Sequence, residues 1–313
     1  MSLVSVGTVA FDAIETPFGK TDKIIGGACT YISLAASFFS KGAKIISVVG
    51  GDFPLNTLDM FAEKGINTEG LQIVKDGKTF FWSSKYHTDM NTRDTIATQL
   101  NVLETFDPIV PGSYQDCDYL MLGNLTPAVQ LSVLERLENK PKLVVLDTMN
   151  FWMEIALEDL KKVILKIDVL TINDEEARLL TGENSLVKAA KQILTMGPKT
   201  LIIKKGEHGA LLFQDDKIFH APALPLEEVF DPTGAGDTFA GVFIGYLAAA
   251  NDHSWETMKK AIIVGSALAS FTVEKFGIER LEEITIDDIQ NRIKEFSTLS
   301  SFHFTEADLS YTH

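Results

Sequence analysis

The stretch Asp231-Pro232-Thr233-Gly234-Ala235-Gly236-Asp237-Thr238-Phe239-Ala240-Gly241 puts a glycine turn, two carboxylates and the start of an apolar helix within one short span. A Gly-Ala-Gly turn can bring several backbone N–H groups to a ligand without side-chain obstruction. A helix beginning there aims its free N–H groups and the positive end of its dipole the same way. That combination attracts anions. Asp237 stands where the turn becomes the helix, so its carboxylate would lie beside any anion held there, and an acid in that place can serve as a base. The residues alone also allow a plainer account, with Asp237 as an N-terminal helix cap and the glycines as a tight turn.

Other residues carry chemistry on weaker signals. Asn173 and Glu176, in Asn173-Asp174-Glu175-Glu176, follow an apolar run with the spacing of a capping box. Gly206 and Gly209 lie between the apolar runs Leu201–Lys204 and Ala210–Phe213, where they could open backbone to a ligand or simply turn a hairpin. Asp12 sits in a segment of alternating pattern, as does the aromatic series Phe80, Trp82 and Tyr86, which could stack on a flat ring or serve as packing. Arg93, on the return from that series, could clamp a phosphate or form a surface ion pair.

These residues need a scaffold, and the chain supplies one by alternation. Short apolar runs at Leu3–Val6, Lys44–Val49, Tyr119–Leu122, Leu143–Leu146, Val169–Ile172 and Leu201–Ile203 read as buried strands. Helical patterns fall near Ala28–Ser40, Leu55–Lys64, Ala128–Glu138, Asp174–Leu180, Leu186–Met196, Asp237–Ala249, Ser254–Glu274 and Asp287–Phe296. That rhythm predicts an α/β fold with a doubly wound parallel sheet, whose ligands bind outside the carboxyl ends of the strands. Gly7, Gly50, Gly123, Asp147 and Asn173 fall at those ends. Two segments of period two, Thr8–Glu15 and Lys78–His87, break the rhythm and predict a small, mostly antiparallel sheet serving as a lid, or else an edge extension of the main one.

A formal charge of -15 over 313 residues argues against a nucleic-acid polymer as partner, since a phosphate backbone calls for clustered Lys and Arg. A single nucleotide with Mg2+ remains compatible. Cys29 and Cys117 form no C-x-x-C pattern, which predicts a reducing, cytoplasmic setting. The first residues lack the charge and apolar core of a secretory signal, and the apolar run from Thr238 to Ala250 is too short to cross a membrane. There is no P-loop and no histidine pair for zinc. A dinucleotide fingerprint fails at its third glycine, where Phe239 stands. The stretch 297–313 shows no strong periodicity and receives no role.

The string DPTGAGDTFAGVFIGYL resembles the second signature of the PfkB/ribokinase family of carbohydrate and nucleoside kinases. Gly26-Gly27-Ala28 resembles that family's Gly-Gly substrate motif, Asn173 to Glu176 its N-x-x-E motif, and Lys205 to Ala210 its nucleotide-site turn. Order and spacing of all four fit, so the resemblance covers essentially the whole chain. It implies a single ribokinase-like α/β domain over residues 1–313, its doubly wound, mostly parallel sheet flanked by helices, with a small β-sheet lid formed by about residues 8–20 and 72–100. The activity implied is ATP-dependent transfer of the γ-phosphoryl group to a hydroxyl of a ribonucleoside or sugar, with Mg2+ accompanying ATP. A catalytically silent binding module of the same fold is the contrasting class, but the base and the anion-turn glycines are both intact.

By that resemblance Asp237 is the general base, and Gly234, Ala235 and Gly236 give N–H groups to the transferring phosphoryl. Asn173 and Glu176 orient phosphate oxygens and Mg2+-bound water. Lys204, Gly206 and Gly209 border the nucleotide, and Asp231 and Thr233 stand where relatives can bind K+. Asp12 matches the acid that holds sugar hydroxyls, with Gly26 and Gly27 allowing the sugar close. Four positions after Gly27, ribokinase-type sequences usually carry Asn; this chain has Tyr31. Tyr31, Phe11 and the aromatic face with Trp82 suit a substrate with a flat ring. A ribonucleoside is therefore expected first, and a free or phosphorylated sugar, as for a ribokinase or fructokinase, second. Lids of some relatives pair between subunits, which predicts a homodimer through the lid.

Overall fold

The structure, a computed structural model, describes residues 1–303 and 305. In chain order, β1 (Leu3–Val6) leads to β2 (Ala10–Thr16), β3 (Gly19–Lys20) and β4 (Ile24–Gly26), then to α1 (Ala28–Ser37), β5 (Lys44–Gly50), α2 (Leu55–Glu63) and β6 (Asn67–Val74). Next come β7 (Phe81–Tyr86), β8 (Arg93–Gln99), β9 (Tyr119–Leu122), α3 (Pro127–Arg136), β10 (Leu143–Asp147), α4 (Asn150–Ile155) and α5 (Leu157–Ile164). The chain continues through β11 (Val169–Asn173), α6 (Asp174–Thr181), α7 (Leu186–Leu194), β12 (Thr200–Lys204), β13 (Ala210–Gln214) and β14 (Lys217–Ala221). It closes with α8 (Ala235–Ala250), α9 (Trp255–Thr272), α10 (Glu279–Glu283) and α11 (Ile286–Ser300).

The main sheet has nine strands in the order β14-β13-β12-β11-β10-β9-β1-β5-β6. The seven strands from β12 to β6 run parallel, and the hairpin strands β13 and β14 add an antiparallel edge. The chain winds outward from β1 to β6, then returns to β9 and winds the other way. The sheet is therefore doubly wound, with its reversal between β1 and β9. All six predicted core strands are present, and β6, β13 and β14 join them. Both faces are buried, so the strands read as unbroken apolar runs. Val4, Leu120, Leu146 and Leu170 pack beneath one helical layer that includes α5 and α7. Leu3, Met121, Val145 and Ile202 pack beneath α1, α8 and α9.

The packing of α1 against α8 sets the site. Both helices are apolar nearly all round, as core helices must be. At Gly241 a Cβ would come within 2.3 Å of the Ile32 carbonyl oxygen, and at Gly245 within 2.9 Å of the Ala36 Cα. The two helix backbones thus touch, and their N-termini end side by side. Thr8, just after β1, caps α1 from outside: its hydroxyl accepts from the Ala28 N–H and its carbonyl from the Cys29 N–H.

The second sheet has the order β3-β2-β7-β8, with β4 also paired to β2. Its pairs are antiparallel except β2 with β7, which is parallel. Residues 72–74, expected in this sheet, belong instead to β6 at the edge of the main one. Strand β8 follows a segment with no periodic signal of its own. No helix among the described residues is long and apolar enough to cross a membrane. The predicted last helix runs on to Ser300, and of the stretch given no role, residues 304 and 306–313 lie outside the described residues.

Candidate active site

Gly234 is the N-cap of α8, with φ of 78°, in the left-handed region that glycine occupies without strain. A Cβ there would also fall 2.4 Å from the Tyr31 ring. No side chain caps this helix, so Asp237 in the first turn is not a capping residue. Its carboxylate is left for other work. Burial pushes the Asp237 carboxyl up to about 7, with Asp147 adding to the effect and Lys204 and Arg93 opposing it. A carboxylate so placed can accept a proton from a neutral alcohol, and the N–H groups of the first turn face whatever anion lies beside it.

Behind the turn lies a buried ion pair that joins three strand ends. Lys204 Nζ, at the end of β12, meets the two carboxylate oxygens of Asp147, at the end of β10, at 2.8 and 3.0 Å. Thr171 of the intervening β11 donates its hydroxyl to the same carboxylate at 2.9 Å. Burial works against the charge on Lys204, but Asp147, Glu176 and Asp237 outweigh it and hold the ammonium above its ordinary range. A Cβ on Gly236 would lie 3.1 Å from that ammonium, so the cation sits against the anion turn.

Asn173 and Glu176 form the capping box their spacing suggested: each side chain accepts the other's backbone N–H at 2.7 Å. Glu176 is 6% exposed, and burial raises its carboxyl to about 7 against the pull of Lys204. One carboxylate oxygen serves the cap. Among the described residues no three Asp, Glu, His or Cys side chains converge as a metal cage. A divalent ion here would thus be held as Mg2+ usually is, by one or two carboxylates with waters and phosphates.

On the other side of Asp237, Asp12 stands on the inner face of the small sheet. Its carboxylate lies over Gly26, where a Cβ would be 1.9 Å from Oδ2. Burial raises it to about 7, Asp231 adds to this, the Gly27 N–H pulls the other way and Asp237 adds again. Asp12 pairs directly with Trp82, so carboxylate and indole share one face. Tyr86, on the same face, accepts the Thr233 hydroxyl at 3.2 Å, and Arg93 pairs opposite Tyr86. The small sheet is therefore docked onto the anion turn. A second contact stands at the Gly206 turn, where a Cβ would meet Asn91 Oδ1 at 3.1 Å. Gly209, also in a left-handed conformation, has its own packing reason, for a Cβ there would fall 2.0 Å from the Ala221 carbonyl.

Two expectations need correction. Phe11 neighbours Asp12 along β2 and therefore points to the opposite face, where it packs on Phe53 with ring centroids 5.8 Å apart, 4% exposed. It does not join Trp82. Arg93 forms no ion pair among the described residues; its guanidinium stacks over Trp82 at 5.6 Å, and its charge acts on Asp237 and Glu176. Sequence reasoning also missed the role of Asp147 as the partner of Lys204, since only its position at a strand end was visible.

A carboxylate beside a helix-borne anion turn, at the carboxyl edge of a doubly wound sheet, defines a phosphotransferase that uses an alcohol as acceptor. The model of the pfkB family carbohydrate kinases matches residues 2–284, and the chain belongs to that family. A cytidine kinase of Thermococcus kodakarensis is 30% identical over 253 residues, covering 79% of this chain and 88% of that protein. A ribokinase of Haemophilus influenzae is 27% identical over 276 residues, 85% of this chain and 86% of its own. The solved nucleoside kinase of Methanocaldococcus jannaschii, an archaeal member of the ribokinase family, shares the fold with a TM-score of 0.75 at 22% identity, covering 94% of this chain and 99% of that one.

Proposed function

We propose that this protein transfers the γ-phosphoryl group of ATP to a hydroxyl of a ribonucleoside. The observation that carries the substrate reading is the pairing of Asp12 with Trp82 on one face: the carboxylate can accept two sugar hydroxyls while the indole lies alongside for a flat base. Identity to a cytidine kinase supports it. Within this reading Asp237 takes the hydroxyl proton, and the N–H groups of Gly234, Ala235 and Gly236 hold the phosphoryl as it moves. The transition state is loose, so alignment and charge stabilisation outweigh strong proton abstraction. Lys204 and Arg93 both bring positive charge to Asp237. Asn173 keeps Glu176 in place, and the Gly206–Gly209 turn borders the nucleotide, with Gly209 held by its packing on Ala221.

Mg2+ bound with ATP would neutralise phosphate charge at Glu176. Asp231 is wholly buried, accepts the N–H groups of Thr233 and Gly277, and pairs with no basic side chain among the described residues. A K+ ion beside Asp231 and Thr233 would supply the missing counter-charge. The small sheet acts as a lid within a single domain. Its free edge, β8, exposes Ile96 at 63% and is the surface through which two copies would pair. Sedimentation should give twice the 34.5 kDa chain mass, and replacing Ile96 by Lys should return it to one chain; a monomer from the start rejects the pairing. Both cysteines are buried free thiols, in keeping with a cytoplasmic setting.

The Asp12–Gly26 cradle would serve a free sugar equally well, and the ribokinase relative favours that second reading. The test is ADP release with ATP and Mg2+ across cytidine, uridine, adenosine, inosine, ribose and fructose. Turnover of one or more nucleosides with ribose nearly idle is expected. Brisk turnover of a sugar with every nucleoside idle would reject the nucleoside reading in favour of the sugar.

A further inference from the structure

Tyr86, the last residue of β7, is buried, and its hydroxyl accepts the Thr233 hydroxyl at 3.2 Å. Among the described residues no other hydrogen bond joins residues 231–237 to the small sheet. From the main body the same turn is tied through Asp231, whose two carboxylate oxygens accept the Thr233 N–H at 2.9 Å and the Gly277 N–H at 3.1 Å. Thr233 thus has one bond to the body and one to the sheet, and it immediately precedes Gly234, where α8 begins. Tyr86 also stands at the base of the β7–β8 hairpin tip, which is stiff. Asp89 accepts the N–H groups of Asn91 and Thr92 and the Thr92 hydroxyl. Those bonds bridge Met90, whose φ of 55° is left-handed, a conformation that a residue with a Cβ adopts at a cost. Across the tip Asn91 stands over the Gly206 turn. One hairpin end therefore meets both the anion turn and the nucleotide-side turn.

We infer that Tyr86 is a positioning residue for the phosphoryl group: through Thr233 it sets the anion turn, so the sheet that covers the acceptor also completes the site that holds the donor. The N–H groups of Gly234, Ala235 and Gly236 stabilise moving charge only if they are aimed beforehand, because reorienting them during the reaction costs what they would gain. Gly234 and Gly236 bring no side chains to pack the turn, and glycine backbone is the freest of all. Asp231 fixes the start of the turn and α8 its end. The Thr233 hydroxyl, held by Tyr86, fixes what lies between. Burial raises the Tyr86 phenol above its ordinary range, with Arg93 opposing, so the group stays a neutral hydrogen-bonding partner at ordinary pH. Along β7 the duties separate, with Trp82 beside Asp12 on the acceptor side and Tyr86 at the phosphoryl. The inference rests on the kinase reading and adds a donor-side residue to it.

The test pairs Tyr86→Phe, which removes one oxygen, with Thr233→Val, which breaks the same bond from the other side. For Tyr86→Phe, kcat with the best acceptor should fall roughly tenfold, the worth of a lost hydrogen bond, while KM for that acceptor stays nearly unchanged. The double variant should be no slower than the slower single one, because the two groups act as a unit. In the empty protein, amide hydrogen exchange over residues 232–238 should quicken in Tyr86→Phe, with β10, β11 and β12 exchanging as in the native protein. Losses that multiply in the double variant would overturn the proposal. So would an unchanged kcat, or a raised acceptor KM with kcat held, which would put Tyr86 on the acceptor. Should Tyr86→Phe fail to fold, Thr233→Val gives the same exchange and kcat readings alone. A native protein that turns over no acceptor rejects the kinase reading; the exchange measurement then decides the positioning by itself, and unchanged exchange over 232–238 rejects it.

Discussion

Replacing Asp237 by Asn is expected to lower kcat by roughly a hundredfold or more, the scale of general-base effects, while the protein unfolds at the same temperature or higher. The amide matches the carboxylate in shape but cannot take a proton from the acceptor hydroxyl. Stability should not suffer, because the carboxyl caps no helix and burial already disfavours its charge. The pH profile adds a second reading. Asp237 must be ionised to act, and in the free protein its carboxyl is raised to about 7, so kcat/KM of the native protein should climb as pH rises through that region. The variant should lose the part of that climb due to Asp237. Activity of the variant within tenfold of native would reject Asp237 as the base.

Replacing Lys204 by Met is expected to cost about 3–5 kcal/mol of stability, the range for stranding one member of a buried pair. Asp147 is nearly inaccessible and would keep only the Thr171 hydroxyl as a side-chain partner. Urea unfolding measures the loss. The double variant Lys204→Met with Asp147→Asn should recover much of it, since it removes the stranded charge. Activity should stay low in both, because the ammonium against Gly236 is absent in each. A Lys204→Met protein as stable as native would mean that solvent or a shifted side chain reaches Asp147, contrary to the observed burial.

Much of the frame was legible because its strands are buried on both faces and alternate with helices, a pattern that local sequence carries by itself. The turn at Gly234 and the capping box at Asn173 were equally local. The ion pair behind them was not. Asp147 and Lys204 lie 57 residues apart, and only the adjacency of β10, β11 and β12 brings them together. Strand β8 was hidden for another reason: nearly all of Arg93–Gln99 is exposed, so no alternation of burial marks it. Phe11 shows a third. Alternation placed it opposite Asp12, but its partner Phe53 belongs to a different segment, and aromatic character alone had grouped it with Trp82.

The backbone contact between α1 and α8 at Gly241 and Gly245 bears on fidelity. In the proposed reading one helix start cradles the acceptor and the other the phosphoryl, so these two glycines fix the spacing between the reactants. No side-chain rotation can lengthen it. On the same reading the small sheet above, docked through Tyr86 and near Asn91, is the part that moves. Water would then compete with the acceptor only when that sheet lifts, so wasteful hydrolysis of ATP should follow the opening of the roof and be indifferent to the floor.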